Sequence, residues 1–198
     1  MPNEGLMELA NSARDHYRHS LDQDVRPPAF ILARTKAGQV AHVPLPYTDP
    51  QTKAKMLHMA RITFGFWQVV EYVVAYESWM VRREFPRGTA DLTALANTIR
   101  PSEEPDRQDS FVIAGAGRAG TVFGVASIVT DGMVRAVGEM KWIDGAEALV
   151  DGTMFHLLPP ESLPAPPEGL KRAFFEQFPS LDLNRRVWES SETPKEGA

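Results

Sequence analysis

The spacing of apolar residues along the chain changes several times, and each change marks an element. Over residues 4–21, Leu6, Leu9, Ala10, Ala13 and Tyr17 recur at three- and four-residue intervals, which puts them on one face of a helix. Asn3 offers a side-chain oxygen to cap the first turn. After Pro27-Pro28, residues 29–34 and 39–45 read as a hairpin. Lys36-Ala37-Gly38 forms its turn, with the glycine taking a positive φ. Thr48-Asp49-Pro50 announces a second helix, because a capping side chain followed by proline at the first helical position is a start signal. Its stripe is Met56, Leu57, Ala60 and Phe64, and Gly65 suits its end near residue 64.

Trp67–Val81 is apolar on both faces and rich in Val, Tyr and Trp, which predicts a central strand. Residues 82–109 read as a long surface loop, with a short helix over 90–97 and a charged run from Arg100 to Asp109. Residues 110–143 read as a three-stranded meander. Asp131-Gly132 is a hairpin turn signal, and as the two loop residues they pair Val129 with Val134, Val125 with Gly138, Phe123 with Met140 and Thr121 with Trp142. That register turns the face of Phe123, Val125 and Val129 inward and leaves the face of Val122, Gly124 and Ile128 outward. Asp144-Gly145 and Asp151-Gly152 are turns, Pro159–Pro167 is a linker, and 168–178 is a short helix with Leu170, Phe174, Phe175 and Phe178 apolar. The polar tail, 189–198, reads as disordered.

These elements predict an α+β fold: a central antiparallel sheet of about five to six strands, an N-terminal helix, a second helix after the first hairpin and a short C-terminal helix. Residues 1–158 form one domain, and 159–198 hold the linker, helix and tail. Composition sharpens this in three ways. A hydrophobic share of 43% is enough for a packed core. The absence of cysteine excludes disulfides, thiolate metal sites and cysteine nucleophiles, and points to a reducing, cytoplasmic setting. The net charge of −5, with basic residues dispersed, carries no nucleic-acid footprint. The N-terminus lacks the basic and apolar regions of a signal peptide, and no apolar run reaches the length of a membrane span.

Candidate chemistry is sparse. Gly115-Ala116-Gly117-Arg118-Ala119-Gly120 fits the dinucleotide-binding spacing, but that mechanism needs a helix to begin at the motif. A strand-rich run follows instead, so the glycines read as a β-turn and no cofactor is expected. Glu71 and Glu77 share one face of the central strand, yet six residues of strand separate them by about 20 Å, too far to share one atom. Glu77 alone is a candidate: under a covering sheet its pKa would rise or it would need a basic partner. Trp79 stands beside it. The loop concentrates Glu103, Glu104, Asp106 and Asp109, with Arg107 among them, without the spacing of a known calcium loop. His16 and His19 lie one turn apart on the polar flank of the first helix and read as solvent-exposed, so no metal site is expected. Ser78, Ser110 and Ser127 lack the context of a nucleophile.

The order of elements over residues 4–143 resembles the roadblock, longin and profilin-like scaffolds, small five-stranded sheets with helices on their faces. Those scaffolds serve mostly protein–protein contacts. Glu77-Ser78-Trp79-Met80 and the run from Arg100 to Arg107 also resemble a pattern of bacterial and phage proteins, from which no residue role carries over. The expected function is a non-enzymatic protein-binding or assembly module that self-associates or meets a protein partner, without nucleic acid or membrane. Two alternatives stand beside it. One is a metal-assisted carboxylate hydrolase using Glu77 with the acidic loop 103–109. The other is a small-ligand sensor with a cavity lined by Tyr72, Tyr76, Phe123 and Trp142.

Overall fold

A computed structural model describes residues 4–81, 98, 101–132, 134–144, 156–161 and 163–182. The predicted 90–97 helix, the turns at Gly145 and Asp151-Gly152, and the 189–198 tail lie outside these residues. Helix α1 (Glu4–Asp22) is followed by the hairpin β1 (Ala29–Thr35) and β2 (Val40–Leu45), then helix α2 (Pro50–Trp67) and strand β3 (Val69–Met80). Strands β4 (Gln108–Gly117), β5 (Gly120–Asp131), β6 (Val134–Val137) and β7 (Lys141–Asp144) complete the sheet, and helix α3 (Glu168–Gln177) comes last. The seven strands among the described residues are all antiparallel, in the order β2-β1-β3-β4-β5-β6, with β7 also on β5. The sheet exceeds the five to six strands expected because the outermost ribbon is broken into two short pieces, β6 and β7.

The central strand is central, but it starts at Val69 instead of Trp67. Helix α2 runs through Gly65 to Trp67 because Gln68 closes it in the left-handed conformation (φ 55°). Its amide and side chain both bond to Gly65 O. Asp49 caps the other end, accepting from the amides of Gln51 and Thr52 at 2.8 and 2.9 Å. Pleat alternation along β3 gives each helix its own core. Val73 and Ala75, with Phe111 and Ile113 of β4, meet Leu6, Leu9, Ala10, Ala13 and Tyr17 of α1. Tyr72 and Val74 point the other way, to Leu57, Ala60, Phe64 and Trp67 of α2. The C-terminal segment joins this second core: Phe174 stacks on Phe66 at 4.2 Å, and Trp67 Nε1 donates to Leu181 O at 3.0 Å.

The meander differs from the register expected. Asp131 pairs with Val134 instead of lying in the turn, and Gly132 supplies the positive φ (59°). A further one-residue slip lies between β6 and β7, where Gly138 N donates to Ser127 O, and it places Trp142 opposite Gly124. The buried face of β5 is Val122, Gly124, Ala126 and Ile128, the reverse of the expectation. The reason is packing. Val122, Ala126, Ile128 and Met140 join the α1 core, and Gly124 leaves room for the Trp142 ring, which an added Cβ would meet at 2.5 Å. Consequently Trp142 lies on the α1 face and Tyr72 and Phe123 on the opposite one, so the four aromatics proposed to line one cavity do not converge.

Candidate functional site

Alternation places Glu71, Val73, Ala75 and Glu77 in a row under α1. The helix covers the middle of the row and ends beside Glu77. The chain leaves α1 through Asp24 in the left-handed conformation (φ 56°). Asp24 N donates to Leu21 O and Val25 N to Ser20 O, both at 2.9 Å, which turns the chain back toward the sheet. Arg26 is thereby brought onto Glu77.

Three side chains from three separate segments close on the Glu77 carboxylate. Tyr17 of α1, stacked on Phe111 with centroids 4.0 Å apart, donates its hydroxyl to Oε1. Arg26 spans both oxygens, its Nε 3.0 Å from Oε1 and its Nη2 on Oε2. Arg135 of β6 approaches both as well, at 3.4 and 3.1 Å. The Glu77 side chain is 13% exposed, Arg135 22% and Arg26 65%. Burial pushes the Glu77 pKa up, but the Tyr17 and Arg26 hydrogen bonds and the two guanidinium charges outweigh it and hold the carboxyl below its ordinary value. The Tyr17 hydroxyl moves the opposite way, raised by burial and by the carboxylate it serves. This is a carboxylate held ionised by paired, charge-assisted hydrogen bonds.

Above this network lies an open cleft of about 670 Å³. One wall is the end of α1 and the turn after it, with Arg18, Leu21, Asp22, Asp24, Val25 and Arg26; the other is the whole of β6. Arg18 Nη2 donates to Gly138 O at 3.0 Å and ties the two walls together. Val134 at the rim is 67% exposed.

Of the residues expected to carry function, the structure brings some together and not others. Trp79 and Arg107 meet, the guanidinium 5.1 Å from the ring centroid. Arg107 Nη1 also donates to Ser102 O at 2.6 Å, bracing the turn Pro101–Glu103 at the end of β3. Glu103, Glu104 and Asp106 contribute nothing to the shell of Glu77, whose described partners are Tyr17, Arg26 and Arg135. Asp109 does come near, but Arg135 Nη2 stands between, 3.1 Å from Glu77 Oε2 and 4.0 Å from Asp109 Oδ2. Among the described residues no three His, Asp or Glu side chains gather as a possible metal-binding set. The glycine motif lies in a hairpin: Gly115 and Gly117 belong to β4, Arg118-Ala119 turn, and Gly120 opens β5. Gly115 is there for closeness, since a Cβ would sit 2.6 Å from Tyr72 O. His19 is exposed and bonds Gln23, whereas His16 is half-buried and faces His42, against the expectation of two exposed histidines.

Tyr17, Arg26 and Arg135 are the partners of Glu77 that the sequence does not single out. Tyr17 closes the helix stripe with a polar tip, a visible signal that a partner waits across the core. Arg135 escapes notice because the β5–β6 register is not local, and Arg26 because it lies in a turn with no periodicity. No helix among the described residues is long and apolar enough to cross a membrane. Comparison with family models, curated proteins and solved structures finds no match to this chain.

Proposed function

We propose that this chain is a non-enzymatic protein-binding module that accepts an extended segment of another polypeptide in the cleft between the end of α1 and β6. The observation that carries this reading is that, among the described residues, β6 is the outermost strand of its sheet and all four of its residues line the cleft. A strand edge lining a groove offers backbone donors and acceptors to an added strand, with side-chain contacts setting specificity. The walls suit a polypeptide. Leu21, Val25, Val134 and Val137 are apolar, and Arg18, Arg26 and Arg135 are interspersed with Asp22 and Asp24. A polyphosphate partner would call for a field of one sign.

The state of Glu77 supports binding over hydrolysis. A general acid or base works best with a pKa near the operating pH, and Glu77 is held on the far side of its ordinary value. A metal would have to displace two guanidiniums that already satisfy both oxygens.

Selection of phage-displayed dodecamer peptides against the immobilised full chain tests the reading. It predicts binders that shift the amide resonances of residues 134–137 and lose about tenfold in affinity on Val134→Lys, near 1.4 kcal/mol. The melting curve of that variant stays at wild type because Val134 is exposed. Binders that map to another face and ignore Val134→Lys would overturn it.

A further inference from the structure

A second polar convergence lies farther along the sheet, between α1 and β2. The rings of His16 and His42 approach with centroids 5.0 Å apart and planes at 65°. Phe30 flanks them at 5.0 and 5.1 Å. Together with Ser12, the two imidazoles are the polar side chains among the described residues lining a pocket of about 200 Å³, whose other walls are Leu32 and Val40. We propose that this pocket binds a divalent transition-metal ion through the imidazoles of His16 and His42.

Imidazole nitrogens ligate such ions at about 2.0–2.1 Å, and two rings sharing one tetrahedral ion have centroids about 5 Å apart. The centroid spacing of His16 and His42 equals that value. One ligand comes from a helix and the other from a strand, so both are fixed by the packing of α1 on the sheet before any ion arrives. Ser12, one turn before His16, and water would fill the remaining positions. With two nitrogen ligands, copper(II) should bind most tightly of the common divalent ions.

The competing account is aromatic packing of the histidines on Phe30 and nothing more. Calorimetric titration of the full, tag-free chain with copper(II) chloride separates the two. The proposal predicts one ion per chain, with His16→Gln and His42→Gln each weakening binding by about tenfold or more. His19→Gln leaves it unchanged. Binding that is equal in wild type and both variants, or that depends on His19 and not on His42, overturns the proposal. Should a glutamine variant fail to fold, paramagnetic broadening in the wild-type chain decides. Copper must broaden the ring resonances of His16 and His42 first, and broadening confined to other histidines or to the amino terminus overturns it.

Discussion

The two ends of β3 carry the same residue on the same face, and the helix above treats them differently. At one end Glu71 is 8% exposed and paired with Arg34, whose Nε lies 3.2 Å from Oε1. Arg34 also holds Glu8 at 3.0 Å and Gly5 O at 3.3 Å, so the first turn of α1 shuts down over the pair. Gly5 lies so close that a Cβ there would come within 2.8 Å of the Glu71 carboxylate. At the other end the helix stops, the chain turns away through Asp24, and the two arginines that hold Glu77 line an open cleft instead of being sealed under the helix. The lesson is geometric. A buried carboxylate with an arginine partner has no fixed meaning; whether it seals or presents a surface depends on whether a helix begins or ends over it.

The sharpest way to break that comparison is to neutralise each glutamate in turn. Glu77→Gln leaves two guanidiniums and a tyrosine around an uncharged amide and should cost about 3 kcal/mol, as breaking one side of a buried charge network does. The cost depends on pH with a definite sign. Because the folded pKa of Glu77 is depressed, its contribution is fully present above the ordinary glutamate value and is lost as pH falls through the lower, folded one. The gap in urea stability between wild type and Glu77→Gln should therefore narrow on acidification; a gap that widens contradicts the account. Tyr17→Phe comes next, at about 1.5–2 kcal/mol, since it removes one hydrogen bond to a charged group and keeps the Phe111 stack. The smallest effect, about 1 kcal/mol, is expected for Glu71→Gln, because Arg34 retains Glu8 and its Nε makes an ion pair but no hydrogen bond with Glu71 for the amide to lose. Urea unfolding of the three variants that gave equal losses, or the reverse order, would show that the two ends do not differ as described.

How far the sequence foretold this varies with the range of the interaction. Helix α1 was legible because its stripe is local and strictly periodic, and the hairpin and α2 because their turn and cap residues act within a few positions. The glycine motif was correctly read as a turn, since the residues after Gly120 favour strand. The β5 ribbon is not legible in the same way, because its register rests on a bulge at Gly138 and on α1 choosing the face of Val122, Ala126 and Ile128, neither of which leaves a local trace. The site followed the same rule. Glu77 stood out as a charge in an apolar strand, and the demand for a basic partner was a sound inference. Which arginines answer it, at sequence separations of 51 and 58, depends on the fold alone.

The most direct test is a carbon-detected NMR titration of the Glu77 side-chain carboxyl in the folded chain. The account predicts a midpoint clearly below the ordinary glutamate value of about 4.3, with the Tyr17 and Arg26 resonances moving at the same pH. A midpoint above that value would contradict it, because a carboxyl that binds its proton readily is poised for acid–base chemistry and not locked between two arginines.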